Sequence, residues 1–329
     1  MSTTKEDFKK SFQDFKALLT TEYDLESYPL SVIKGKTFGT KFPNALIFKP
    51  TYEDCKFIGT NFEGTNLANS KFHICSFIDC LFNNCDLRYW KLYRSHFQNG
   101  KISGCGFGFG IFKDITFEST TFEGCSFGQM QLENISIQGC KLKFSSFEQS
   151  DIKNCVLKDL DLRQAEVRYC NFEGTTFENV VFHILDLPRN YGLVEQLLKS
   201  PNTIYVAYKG DKLMPLAEGV VYLRKLVPYY YETHQFYELL TTYALHKEYD
   251  KVKEVMPEVL KSLIDSCDFS ALQDICTLIV KMELYNEEEL NTIYSQIQQQ
   301  INKDKSEKSY QYFITNIKNI LAGTVSKEI

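Results

Sequence analysis

The residues of this 329-residue chain that most resemble a chemical site are three evenly spaced cysteines, Cys75, Cys80 and Cys85. Thiolates bind zinc, but zinc sites draw on ligands two to four residues apart and need a fourth ligand near the others, and this run offers neither. The five histidines, His73, His96, His183, His234 and His246, form no His-Glu-x-x-His pair and no spacing that suggests a triad. The stretch Gly104-Cys105-Gly106-Phe107-Gly108-Phe109-Gly110 has the composition of a phosphate-cradling loop. Such a loop works by joining a strand to a helix N-terminus, and this one lies inside a periodic segment, with its glycines expected mostly at outward turns. Asn134-Ile135-Ser136 fits a glycosylation acceptor, which matters only in a secreted chain. No catalytic, cofactor-binding or metal-ligating residue is therefore assigned. The expectation is a protein that is not an enzyme and carries no cofactor.

The cysteines belong to a pattern that positions them. From Phe42 to Leu187 a large residue, almost always apolar, stands at every fifth position, among them Phe57, Phe62, Phe72, Phe77, Phe97, Phe117, Phe122 and Phe127. Helical faces recur at three and four residues and strand faces at two, so a period of five marks a repeat architecture. Two residues before most of these anchors the side chain is small, and nine of the eleven cysteines, including Cys85, Cys105 and Cys125, occupy that position. Free cysteine packs there as a compact hydrophobe. Trp90 and Met130 are oversized exceptions 20 residues to either side of Gly110, which suggests compensation of volume within a core.

Segments such as Thr65-Asn66-Leu67, Cys85-Asp86-Leu87, Ser150-Asp151-Ile152 and Cys170-Asn171-Phe172 give the motif its detail: a small residue, Asp or Asn, then a large apolar one. In this the chain resembles the pentapeptide repeat family over residues 42 to 187. The resemblance implies a mainly β solenoid, a right-handed quadrilateral β-helix with four pentads to a coil and 20 residues per turn. Seven to eight coils at about 4.8 Å would make a rod roughly 35 Å long. Cys85, Cys105 and Cys125 would then stack on one side as free thiols. Cys75, Cys80 and Cys85 would face three different sides, so their sulfurs could not meet at a metal.

The flanks differ in pattern. Phe8, Phe12, Phe15, Leu18 and Leu19 after Thr4 suit an amphipathic N-terminal helix that covers the first coil. Beyond Pro188 the period stops; a short hairpin is expected at 203–216, followed by several amphipathic helices, with Asp268 or Ser270 and Asn286 as N-caps. The domain reading is a helical cap at 1–35, the β-helix at 36–188 and an α-helical domain at 189–329. The last is long enough for a function of its own. No segment approaches the ~18 uninterrupted apolar residues of a membrane span, and no apolar run follows the charged start at Lys5-Glu6-Asp7, so a cytoplasmic protein without membrane attachment is expected.

With the inward positions committed to packing, function falls to the outward ones. The resemblance suggests one route: family members that protect type II topoisomerases from quinolones imitate duplex DNA in size and negative charge. Residues 51–188 carry 17 acidic and 13 basic side chains, a weak excess for a surface that competes with DNA. Lys143 and Arg163, 20 apart, interrupt one side with positive charge. Ile58 and Ile78 are outward and stacked by register, and Tyr89, Tyr93 and Phe109 are outward or at corners; exposed apolar and aromatic residues at adjoining places mark interfaces. The candidate partner surface is Ile58, Ile78, Tyr89, Tyr93, Lys143 and Arg163. The leading expectation is a non-catalytic scaffold with a protein partner and no direct contact with nucleic acid. A DNA-mimic regulator of gyrase and a toxin, immunity or phage-defence component are the alternatives, and a homo-oligomer is compatible with the sequence.

Overall fold

The computed structural model describes residues 32–40, 50–200, 203–207, 212–304 and 308–323. The expected N-terminal helix lies outside the described residues. The chain divides into two compact units, at Gly219–Val220.

The first unit is a four-sided parallel β-solenoid. Three-residue strands alternate with corners, and each anchor side chain sits at the centre of its strand, pointing in. Face one is a seven-stranded sheet from Val32–Lys34 to Asp151–Lys153. Face two begins with Thr37–Phe38 and runs through Thr176–His183 in a ten-stranded sheet. Face three holds the four strands from Leu81–Asn83 to Lys141–Lys143, and face four the three strands Ser126–Gly128, Ser146–Glu148 and Glu166–Arg168, continued by single bridges at Asp86 and Gly106. From Thr51 to His183 each strand pairs with the one 20 residues on, as in Thr51↔Lys71 and Val156↔Thr176.

The repeat starts ahead of Phe42. Val32↔Thr51 and Thr37↔Lys56 pair at an offset of 19, so the first coil is one residue short. Ile33 and Phe38 therefore fall one place out of the later count, which hid this coil from a strict period of five.

Inside, the anchors form ladders of rings. Phe57 and Phe77 stack at 4.8 Å, Phe77 and Phe97 at 4.3 Å, and Phe127 and Phe147 at 4.5 Å, the spacing that parallel strands impose. Phe57, Phe62, Phe72, Phe77, Phe97, Phe117, Phe122 and Phe127 are all buried, as are Cys85, Cys105 and Cys125. The small position has a second task besides packing. Its side chain donates to a carbonyl of the coil below, as Cys80 Sγ does to Phe57 O at 3.2 Å and Ser150 Oγ to Phe127 O at 2.6 Å. It also accepts from the backbone N–H of that coil, as Ser95 Oγ does from Cys75 and Cys105 Sγ from Cys85. Small polar residues and thiols thus satisfy groups that an alanine would leave unpaired.

Corners are built by the residue two places after nearly every anchor, which sits in the left-handed region. Asn, Asp and Gly fill most of these sites, including Asn69, Asp79, Gly104 and Asn154, because they tolerate positive φ. Of the glycines in the 104–110 stretch, only Gly104 is a corner. Gly106 and Gly108 flank Phe107 on face four, and Gly110 is inward against Met130.

The open end after the last coil is closed by this unit's own chain. Asn190 continues the small-residue column: its Oδ1 accepts from Cys170 N–H at 2.8 Å and its Nδ2 donates to Val167 O at 2.9 Å. Ile204–Ala207 then pairs in parallel with Val180–His183 and antiparallel with Leu213–Pro215, forming the hairpin and covering the strand edge. Gly219 lies so close to Val206 that an added Cβ would stand 2.3 Å from its Cγ2. The pentad period stops near Pro188, but the compact unit runs on to Gly219 because these residues supply the sealing layer.

The second unit is helical, with Val227–Glu232, Phe236–Leu245, Tyr249–Asp265, Phe269–Lys281, Glu287–Asp304 and Lys308–Leu321 following in order. Asp268 caps its helix by accepting from Ala271 N–H at 3.0 Å. Asn286 and Glu289 form a reciprocal capping box at 2.9 and 2.8 Å. Arg224 grips Glu248 with two hydrogen bonds of 2.6 and 2.9 Å, and Phe269 stacks on Phe313 at 5.2 Å.

Candidate partner interface

The six residues singled out as a partner surface lie on different sides of the solenoid. Ile58 and Ile78 are register neighbours on face two, and Lys143 and Arg163 belong to face three. Tyr93 is on face one, and Tyr89 stands at the corner between faces four and one. Arg163 is held locally by Asp161, with Nε–Oδ1 at 2.9 Å and Nη2–Oδ2 at 2.6 Å. The geometry thus separates the six into three pairs, Ile58 with Ile78, Lys143 with Arg163, and Tyr89 with Tyr93.

The neighbourhood of Tyr89 and Tyr93 is the most distinctive part of the outer surface. Reading across face one from corner to corner, one coil presents Tyr89, Lys91, Tyr93 and Arg94. The coil before it presents Asn69, Lys71, His73 and Ile74, and the coil after it Phe109, Ile111, Lys113 and Asp114. Tyr89 and Phe109 are 46% and 49% exposed and stack on one another at 5.1 Å with 11° between their planes. The Lys71 ammonium stands 5.6 Å from the centre of the Tyr93 ring.

Three of these residues occupy corner positions that suit them poorly. Tyr89, Phe109 and the β-branched Ile74 have φ of 59°, 61° and 57°, where Asn, Asp or Gly is the rule. Left-handed backbone costs an L-residue about 1–2 kcal/mol relative to the right-handed form. Strained conformations held by bulky exposed side chains are a mark of functional surface. Phe144 has the same character at the corner between faces three and four, with φ 51° and 70% exposure, but stands apart from the others.

Charge on this patch is in part unpaired. Several lysines of the solenoid meet a carboxylate of an adjacent coil: Lys34 meets Glu53 at 2.6 Å, Lys113 meets Glu133 at 3.0 Å and Lys158 meets Glu178 at 2.8 Å. Lys71 and Lys91 instead stand directly opposite one another in the ladder, and like charges so placed are destabilising. Among the described residues neither they nor Arg94 has a salt bridge. Glu53, just beyond the patch, is held below the usual carboxylate range first by its hydrogen bond from Lys34, with His73 and Lys71 adding to the effect. Sequence reasoning missed Lys71, Lys91, Arg94 and Ile74, although the 20-residue spacing of the two lysines was a visible signal.

The patch brings cations and exposed rings together on one face. Among the described residues no group of His, Cys, Asp and Glu is arranged to hold a metal ion, and no helix is long and apolar enough to cross a membrane. The thiols of the solenoid are buried; burial pushes Cys80, Cys125, Cys140 and Cys155 each up to about 11.

Comparison with known proteins matches residues 51–127 to the family model of the pentapeptide repeat region and residues 140–179 to that of pentapeptide repeats in eight copies. No curated protein matches the chain. Among solved structures, full-length QnrB1, a plasmid-mediated fluoroquinolone resistance protein, is 16% identical over 45% of this chain and 94% of its own, with a TM-score of 0.26. A pentapeptide repeat protein of the Arabidopsis thaliana thylakoid lumen is 14% identical over 31% of this chain and 65% of its own, with a TM-score of 0.20. HetL of the cyanobacterium Nostoc, involved in heterocyst differentiation regulation, is 7% identical over 55% and 98%, with a TM-score of 0.16. With the five-residue period, the four-sided coil and both family models in agreement over these stretches, residues 51–127 and 140–179 belong to the pentapeptide repeat family.

Proposed function

We infer that this chain is a non-catalytic scaffold that binds a protein partner through the outer surface of its solenoid, with the helical unit as a second interaction module. The observation that carries this reading is the stacked, half-exposed pair Tyr89 and Phe109, held at positive φ where smaller residues would relieve the backbone. A ladder that needed only to fold would place Asn, Asp or Gly there, as most of its corners do.

The test is capture of partners from the native host with tagged full-length protein, comparing wild type with the double variant Tyr89→Asn, Phe109→Asn. A protein retained by wild type in moderate salt and lost by the variant supports the reading. An identical set of retained proteins on both would remove its basis. The DNA-mimic alternative calls for a continuous negative face. The pairing of Lys34, Lys113 and Lys158 with glutamates works against such a face. Inhibition or protection of gyrase supercoiling by the purified protein would restore that alternative.

A further inference from the structure

We propose that the basic and aromatic patch of face one, centred on Tyr89, Lys91, Tyr93 and Arg94, binds an acidic, aromatic-containing segment of a partner protein in extended form. The proposal rests on the scaffold reading and names the chemistry of the partner.

Charge complementarity selects the occupant. Lys71, Lys91 and Arg94 have no salt bridge among the described residues, and Lys71 faces Lys91 across one ladder step. Glu53 of the preceding coil offsets this repulsion only in part, since its carboxylate is hydrogen-bonded to Lys34, and incoming carboxylates would relieve the rest. The rings of Tyr89, Phe109 and Tyr93 stand beside the cations and offer apolar contact between them.

Size and surroundings favour a short segment of protein over a nucleic acid. The patch spans three coils, about 10 Å along the axis. On one side it gives way to Glu53 and Asp54, and on the other to Glu133, which is engaged with Lys113. An extended peptide of roughly four residues covers that distance at ~3.3 Å per residue. A longer polyanion would run onto these carboxylates and onto a chain whose net charge is −5.

The test is selection of a random dodecapeptide library, displayed on phage, on the full-length chain and in parallel on the variant Lys71→Glu, Lys91→Glu. Peptides rich in Asp or Glu with an aromatic residue should be enriched on wild type. The best of them, made as a labelled peptide, should bind the variant at least about tenfold more weakly. Tyr89→Asn with Phe109→Asn should also weaken binding while the thermal melt stays level or rises, since Asn relaxes both corners. Lys143→Glu with Arg163→Glu, on face three, should leave it unchanged. Enrichment of neutral or basic peptides, or equal acidic enrichment on the Lys71→Glu, Lys91→Glu protein, overturns the proposal. So does tighter binding of a single-stranded dodecathymidylate than of the selected peptide. If a native partner is retained by the face-one variants but lost by Ile58→Asp with Ile78→Asp, this patch is wrong and the scaffold reading survives. Loss of no partner by substitutions on any face counts against both.

Discussion

Replacing Gly110 by alanine tests the inner packing at one atom. The φ of Gly110 lies outside the left-handed region, so alanine suits the backbone. With free space it would stabilise the fold by about 0.4–1 kcal/mol through the unfolded chain. The space is not free: the new Cβ would stand 2.8 Å from both Cε and Sδ of Met130 and 3.0 Å from the carbonyl oxygen of Phe107. Met130 is itself buried and accepts the Gly110 N–H at 3.2 Å through its sulfur, so it cannot swing into solvent. Overpacking of this kind costs about 1–3 kcal/mol, and with contacts as short as 2.8 Å the upper half of that range applies, which leaves a net loss of about 1–2.6 kcal/mol. Met130→Ala alone should lose about 2–5 kcal/mol as a cavity. In the double variant the alanine at 110 occupies part of that cavity, and the loss should be smaller than the sum of the two by about 1 kcal/mol. The only tryptophan, Trp90, is one coil away in the same column, with the rings of Phe72, Phe77, Phe82, Phe97, Phe107 and Phe112 at 5.0 to 6.2 Å. Its emission during urea titration therefore reports on these coils. A Gly110→Ala protein as stable as wild type, or a double variant equal to the sum, would refute the idea that Met130 dictates glycine at 110.

Phe117→Asp places an unpaired carboxylate among stacked rings and should abolish folding of the solenoid, seen as loss of the cooperative melt and of Trp90 shielding. Asp186 is buried beside Arg189 with one carboxylate oxygen unpartnered, and burial pushes its pKa up to about 7, with Arg189 opposing. Its unfolded value is about 4, so the native state holds the extra proton between these limits. Its contribution is most favourable at low pH and declines as pH rises through that window; Asp186→Asn should gain stability over wild type from pH 5 to pH 8, and a constant difference would contradict this. A thiol reagent at pH 8 should modify exposed Cys267 rapidly and the ten buried cysteines only on unfolding. Rapid labelling of more than one thiol by mass spectrometry would contradict the burial. Lys143→Glu removes only an outward charge that has no salt bridge among the described residues and should shift stability by no more than about 0.5 kcal/mol, as read from the same urea titration.

The inward half of the solenoid was legible because one rule is applied at every pentad. An anchor such as Phe77 has the same surroundings as Phe57 and Phe97, so the period alone identifies its role. The rule fails where the count changes: a single residue missing before Thr51 hid Ile33 and Phe38, and the seal from Ile184 to Gly219 has no period. The hydrogen bonds of the small column also escaped notice. They join residues 20 to 23 apart, and cysteine there reads equally well as a mere space-filler.

For the outer surface, sequence showed which residues point out, since that follows from the same count. It did not show which of them meet. Ile58, Tyr93 and Lys143 are equivalent by that count yet lie on faces two, one and three. The patch on face one arises from four outward positions within six residues of each of three coils, gathered by parallel pairing across 20 residues. The sequence by itself determined the periodic core, because burial there is repeated and local to each coil. Only the tertiary structure decided which cations go unpaired beside which rings, because that depends on neighbours one coil away and on the backbone each corner imposes.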